Sequence, residues 1–315
     1  MRHENGVRVG FGCALALGLW AQAGAGGSTA SFLKIPVGAR EVGMGQAFTA
    51  LASGADAAFW NPAGLTRLQG REVTATDARV FADVRFDTLA YAHPLGAGGA
   101  GGAGPSGTLG VSVGYLGRDR VESRGADRQP TGSYGASDMV VGVSYGRPWG
   151  GLRVGGTLKY VRSSIAEQSA SGAAADFGVQ MPTRVSGLTV GAALQNLGPG
   201  IRFIEERDPL PMTLSLGAGW QMPLGLTVTG EVKRQFADQR TSASVGMELP
   251  LLPAVTARAG YLRTAGSTPA SSPSSLPVGF AGGIGLRLFR YSLDYAFTPA
   301  GELGSAQRIS LTARF

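Results

Sequence analysis

From Arg71 to the C-terminus the chain alternates in hydropathy with a period of two, and the two faces this creates differ chemically. Leu152, Val154, Gly156, Leu158 and Tyr160 interleave with Arg153, Gly155, Thr157, Lys159 and Val161. Met212, Leu214, Leu216, Ala218 and Trp220 interleave with Thr213, Ser215, Gly217, Gly219 and Gln221, and Leu226, Val228, Gly230 and Val232 with Thr227, Thr229, Glu231 and Lys233. Successive side chains of a β-strand point to opposite sides, so each run predicts a strand with one greasy face and one small or charged face. A soluble sandwich alternates too, but its polar face meets bulk water and has little use for 51 glycines in 315 residues. Apolar-out, polar-in segments of about ten residues with aromatics near their ends are what a membrane-spanning barrel requires. Tyr115, Tyr145, Tyr160, Trp220, Tyr261, Tyr291 and Phe315 fall near such ends.

The alternation places strand centres near Ala75, Leu89, Val111, Val141, Thr157, Gly178, Val190, Leu216, Thr229, Val245, Ala257, Ile284, Leu293 and Leu311. That is about fourteen strands, an even number, as bacterial single-chain barrels have. The second is the least regular: Arg85 and Asp87 share the parity of Leu89 and Tyr91, which sets the charged pair beyond the apolar band. Connection lengths alternate as well. Residues 147–151, 182–187, 221–225, 250–254 and 289–290 are short, whereas 117–136, 163–172, 196–211, 235–240, 264–277 and 298–306 are longer. Short periplasmic turns opposite long outside loops are a barrel pattern. Two places break it, a tight first hairpin at Ala82-Asp83 and the long glycine-rich run Gly96 to Gly107.

Met1 to Ala25 reads as a cleaved secretory signal, with Arg2 and Arg8 ahead of an apolar run from Val9 to Trp20 and the small-residue site Ala21-Gln22-Ala23. The run is shorter than the ~20 apolar residues of a spanning helix. Cys13 lies inside it, so the mature chain has no cysteine and no disulfide or thiol chemistry. The chain then divides into a signal (1–25), a leading segment (26–70) and a transmembrane antiparallel β-barrel (71–315). The leading segment carries Phe32, Leu33, Ile35, Val37, Val42, Met44, Phe48, Leu51, Phe59, Trp60 and Leu65 before any strand, an apolar load that would not stay free in water. It is expected to fold into the lumen as a hatch or plug, with the inward glycines letting it approach the wall. Within it Asp56 is suited to cap a short turn, and Asn61 to satisfy backbone groups where Pro62 ends that turn.

Several stretches resemble the PorV/PorQ family, a branch related to the FadL-type transporters of long-chain fatty acids and hydrocarbons. They are Gly38-Ala-Arg-Glu-Val-Gly-Met-Gly45, Ala47-Phe48, Asp56-Ala-Ala-Phe-Trp-Asn-Pro-Ala-Gly-Leu65, Leu89-Ala-Tyr-Ala-His-Pro-Leu95 and Leu194-Gln-Asn-Leu-Gly198 followed by Leu210-Pro211. The resemblance implies a 14-strand barrel with its N-terminus tucked inside. It assigns a hatch or gating role to Asn61, Pro62 and Ala63, and with them to Asp56, Phe59, Trp60 and Gly64 around the same element. It leaves function forked. FadL-like members pass hydrophobic molecules; PorV and PorQ members serve type IX secretion, carrying or anchoring secreted proteins, a role for which the 196–211 connection or the rim would grip the partner. The inward-parity charges Arg153, Lys159, Glu231, Lys233, Arg258, Arg287, Asp294 and Arg308 weigh against an open greasy tunnel.

Catalytic motifs dissolve on inspection. Gly110-Val-Ser-Val-Gly114 and Gly142-Val-Ser-Tyr-Gly146 spell a nucleophile elbow, but both lie mid-strand and the mature chain keeps only His93 as a base. Gly96-Ala-Gly-Gly-Ala-Gly101 lacks the helix and acidic residue of a dinucleotide loop. Glu205, Glu206 and Asp208 read as solvated loop charge, and Glu231 and Lys233 as a paired structural couple. The expectation is no enzyme, cofactor or metal. The formal charge of +7, or +6 once Arg2, Arg8 and Glu4 leave, is diffuse and has no arginine-rich run suited to nucleic acid. It favours anionic outer-membrane lipid or lipopolysaccharide. The last strand, with Ile309, Leu311, Ala313 and Phe315 on one face, ends on an aromatic as barrel assembly machinery reads it. The expected location is the bacterial outer membrane, with hydrophobic small molecules or secretion-system proteins as further partners.

Overall fold

The computed structural model describes residues 30–80, 84–96, 106–124, 130–165, 168–203, 206–265, 279–299 and 304–315. The signal segment, Cys13, the Ala82-Asp83 hairpin, Glu205 and most of the Gly96 to Gly107 run lie outside the described residues. In chain order the strands are β1 Glu72–Arg79, β2 Val84–Pro94, β3 Thr108–Arg124, β4 Pro130–Trp149, β5 Leu152–Ile165, β6 Gln168–Pro182, β7 Leu188–Leu197, β8 Ile201–Phe203 and β9 Glu206–Asp208. They continue as β10 Thr213–Gln221, β11 Thr227–Gln235, β12 Arg240–Leu252, β13 Val255–Thr264, β14 Phe280–Leu288, β15 Tyr291–Pro299 and β16 Ser305–Arg314.

Fourteen of these close into one antiparallel barrel, each pairing with its sequence neighbour, with β7 joined to β10 across the small β8–β9 hairpin and β16 joined to β1. Every expected strand centre falls inside a different barrel strand. The connections differ from expectation in kind. Residues 117–136 and 163–172 are largely strand, because β3 and β4 pair as far as Arg124 and Pro130, and β5 and β6 pair as far as Ile165 and Gln168. Paired backbone satisfies its own donors and acceptors, so these hairpins lengthen as ladder where sequence alone suggested irregular loop.

The two faces separate cleanly. Leu158, Val143 and Phe177 are 72%, 55% and 54% exposed, whereas their neighbours Thr157, Ser144 and Asp176 are 2%, 1% and 0% exposed. The outer surface is therefore a band of apolar side chains, the arrangement of a barrel whose exterior meets lipid. Arg85 and Asp87 point outward as their parity requires, and both are neutralised locally: Arg85 Nε lies 2.7 Å from Asp77 and 3.0 Å from Asp87. Both elbow-like motifs sit in mid-strand on β3 and β4, where Ser144 and Thr157 hydroxyls hydrogen-bond across the ladder at 2.8 Å.

Residues 30–70 lie against the inward face. They form a 3₁₀ turn at Ser31–Lys34, helices α1 Ala39–Gly43 and α2 Ala57–Trp60, and a second 3₁₀ turn at Pro62–Arg67. Phe48, Met44 and Leu65 are wholly buried. Glycine on the wall makes the approach possible: a Cβ at Gly155 would stand 2.5 Å from the Pro62 carbonyl carbon, closer than real side chains come.

Candidate functional site: the barrel interior

The leading segment is mostly irregular, so its backbone groups lack a ladder, and buried amides left unpaired are costly. Inward side chains of the wall take up that role. Glu231 on β11 accepts the amides of Phe48 at 2.9 Å and Thr49 at 2.8 Å through one oxygen. Gln180 on β6 donates to the carbonyls of Thr49 and Ala52 at 3.1 and 3.0 Å, and Thr229 donates to Ala47 at 2.9 Å. Glu72 on β1 accepts Ala55 N at 2.8 Å, and Ser310 on β16 accepts Ala39 N at 2.8 Å. Gln195 on β7 donates to Phe59 O at 2.6 Å.

Asn61 is the most engaged of the residues singled out from sequence. Its Oδ1 accepts Ala63 N at 3.1 Å, capping the Pro62–Arg67 turn, in which Pro62 at the first position has no amide to satisfy. Its Nδ2 donates to Thr49 O at 2.9 Å, Val179 O at 3.1 Å and Ala192 O at 3.3 Å, joining the segment to both β6 and β7. Trp60 donates from Nε1 to Val37 O at 3.1 Å, packs edge-on against Phe48 with centroids 6.1 Å apart, and lies under Lys233 Nζ at 5.0 Å. Ala63 and Gly64 are buried under the same turn.

Asp56 departs from expectation. Its backbone is already helical, at φ −67 and ψ −13, and its side chain makes no cap bond, because capping needs an extended residue ahead of the first turn. Its carboxyl is instead buried, and burial, followed by the neighbouring Glu41 and Glu72 carboxylates, pushes its pKa well above the usual range. Glu41 behaves alike: burial raises it to about 7 against the opposing pull of Arg40.

Two cavities flank the segment. Towards the short-turn end a polar one of about 240 Å³ is lined by Glu41, Asp56, Glu72, Arg258, Asp294 and Arg314 among others. Its charges are chained: Arg40 reaches Glu248 through two nitrogens at 2.8 and 2.9 Å, Arg258 bridges Glu248 and Asp294 at 2.7 Å each, and Arg314 meets Glu72 at 2.7 Å. Towards the other end a recess of about 70 Å³ is walled by Phe32, Phe59, Trp60 and Phe86, with Ser112, Gln195, Lys34, Lys159 and Lys233 supplying polar and charged edges.

Sequence reading missed what closes that second end. The β8–β9 hairpin folds inward, so that Ile201 and Leu210 join one apolar cluster with Phe32, Phe86, Val140 and Val161. It springs from Asn196, whose backbone is left-handed at φ 58 and whose amide is accepted by Asp176 at 2.8 Å, while Lys159 bridges Asp176 and Asn196 at 2.6 and 2.9 Å. The usable signal was the apolar Ile201 and Leu210 inside a polar connection. Phe315, at the end of β16, pairs its backbone with Arg71 at 2.8 and 3.1 Å and leaves its ring 65% exposed.

A model of an uncharacterised protein family, UPF0164, matches residues 20–208. No curated protein matches the chain. Among solved structures, the Ralstonia pickettii toluene transporter TbuX superposes with a TM-score of 0.62 at 16% identity, covering 89% of this chain and 98% of that one. A deltaS2 mutant of the TodX monoaromatic hydrocarbon channel gives 0.56 at 14% identity, covering 89% and 99%. A Pseudomonas aeruginosa FadL homologue gives 0.56 at 13%, covering 89% and 98%. At such identities the likeness is one of fold.

Proposed function

The chain belongs to the uncharacterised protein family UPF0164, and from that premise we propose that it is a bacterial outer-membrane barrel that binds and passes hydrophobic small molecules past an internal plug. The plug is the leading segment, held by Asn61, Pro62, Ala63 and Gly64 against the wall and by Trp60 and Phe59 at its upper face. The observation that carries the reading is the recess between plug and wall at the long-connection end, whose four aromatic walls Phe32, Phe59, Trp60 and Phe86 are edged by Lys34, Lys159, which pairs with Asp176, and Lys233, which lies over Trp60. Apolar pockets with a few polar edges suit small apolar ligands. The fold of TbuX and TodX, a toluene transporter and a monoaromatic hydrocarbon channel, is consistent with cargo of that class. At about 70 Å³ the recess is smaller than the ~150 Å³ apolar cavity that holds benzene. Entry of a monoaromatic molecule therefore displaces Phe59 or Phe32. The apolar exterior supports a barrel that sits in lipid.

The test uses the mature chain in micelles with Trp149→Phe and Trp220→Phe, leaving Trp60 as the reporter. Titration with toluene or decanoate is expected to give a saturable change in Trp60 emission, weakened about tenfold by Phe86→Ala through loss of apolar contact. A linear, unsaturable response in both proteins would discard the reading. Carriage of secreted proteins would use residues 196–211 or the rim as a grip, and the inward packing of Ile201 and Leu210 weighs against the first of these.

A further inference from the structure

The short turns of this barrel carry side chains that water would reject. Trp149, Val185, Leu224, Leu251 and Phe289 stand at five successive short turns and are 65%, 53%, 97%, 56% and 101% exposed. Two of them also sit where the backbone disfavours them. Leu224 and Phe289 hold left-handed backbone, at φ 67 and φ 53, a conformation that glycine or asparagine adopts at less cost. A bulky apolar residue kept in a strained position and wholly exposed is there for what its side chain reaches outside the protein.

Arginines stand among these residues in a distinctive setting. The Arg290 guanidinium lies 5.3 Å from the Tyr291 ring centroid and 5.7 Å from that of Phe315. Its carbonyl accepts Arg314 N at 2.9 Å, which ties the turn to the last strand. Arg147 is exposed on the outward face of β4 between Tyr145 and Trp149, and Arg184 occupies the β6–β7 turn, whose Ser186 carbonyl accepts Trp220 Nε1 at 3.2 Å. Among the described residues no carboxylate pairs with these three arginines. The ion pairs nearest this end, Arg314 with Glu72 and Arg258 with Glu248 and Asp294, lie on the inward face. At the opposite rim the outward Asp77 and Asp87 are both paired with Arg85.

We propose that the short-turn rim is a binding site for anionic phospholipid, with Arg290, Arg147 and Arg184 on the headgroup phosphates and Trp149, Leu224 and Phe289 inserted at the acyl boundary. A guanidinium stacked on rings keeps its N–H edge free, and that edge matches the two oxygens of a phosphodiester. Aromatic rings occupy the same depth in a bilayer, which is why the ligand is a lipid and not a free anion. Short turns face the periplasm, so the lipid is that of the inner leaflet of the outer membrane. The inference uses only the outer surface and stands apart from what passes through the interior.

The experiment extracts the mature chain into micelles containing equal phosphatidylglycerol and phosphatidylcholine and counts retained lipids by native mass spectrometry. Wild type is expected to retain phosphatidylglycerol in excess, and Arg147→Gln, Arg184→Gln and Arg290→Gln to cut that preference by about five-fold each. Leu224→Asn with Phe289→Asn, which suits the turn backbone, is expected to lower retention of both lipids while the heat-modifiable mobility of the folded barrel persists. Asp77→Asn with Arg85→Gln, at the other rim, should change nothing. Equal retention of the two lipids by wild type, an unchanged ratio in all three arginine variants, or the same fall in the far-rim control would each overturn the proposal.

Discussion

Gly178 on β6 leaves open the volume that the Asn61 side-chain oxygen occupies; a Cβ there would overlap Oδ1. The wall residue lacks a side chain so that the Asn61 amide can reach Val179 and Ala192, which face one another across β6 and β7. Asn61→Ala removes the donor to three carbonyls and the cap on Ala63 N, and buried groups stranded in this way cost roughly 1–3 kcal/mol each. Gly178→Val attacks the same contact from the wall. Both variants are expected to release residues 30–70 to protease while the barrel stays folded in micelles. Equal protease resistance in wild type and both variants would show that the contact does not hold the segment.

Glu231 accepts two amides through a single oxygen, so its replacements should be graded. Glutamine keeps one carbonyl oxygen and is expected to retain most of the protection. Alanine strands Phe48 N and Thr49 N, at about 1–3 kcal/mol per amide. Hydrogen exchange at those two amides reads the difference directly: fast exchange in Glu231→Ala and near-native exchange in Glu231→Gln is the expected pattern.

The Glu41 carboxyl is raised to about 7 by burial against the pull of Arg40, so the packing of residues 30–70 is expected to depend on pH. Asp294 on β15 opposes its ionisation, Arg258 on β13 favours it, and Asp56 stands near. A raised acid binds its proton more tightly in the folded state, so its contribution is fully present below the unfolded value of about 4.5 and is lost as pH rises through about 7. The temperature at which the folded barrel loses its heat-modifiable mobility should therefore fall between pH 5 and pH 8. Glu41→Gln, neutral throughout, should flatten that fall. A steeper fall in the variant would assign the effect elsewhere.

Ile201 is wholly buried at the mouth, so Ile201→Asp sets a charge in an apolar cluster with no partner. The β8–β9 hairpin is expected to swing out, exposing residues 198–211 to protease and speeding ligand access to the aromatic recess. Stopped-flow measurement of the Trp60 signal checks the second point: association should quicken, and an unchanged rate would mean that the ligand takes another path.

Strand number, the parity of each residue and the even count were legible because the period of two is a property of the local backbone. Leu158 and Thr157 differ in exposure for no reason beyond adjacent positions on one extended chain. Glycines on the polar face, such as Gly155 and Gly178, leave room where residues 61 and 62 approach the wall. Which residues meet was not legible. Glu231 and Phe48 stand 183 positions apart, and nothing in the surroundings of either records the other. Asp56 looked like a cap because it precedes a short helix; its helical φ and ψ, which sequence position alone does not reveal, remove that role. Residues 196–211 looked like an outward loop because the connection is long where the alternation calls for an outside loop, whereas Ile201 and Leu210 pack into the apolar cluster inside the barrel. Local alternation thus determined the cylinder and its two faces. Closure, which brings distant strands around one volume and forces its contents to satisfy one another, decided the rest.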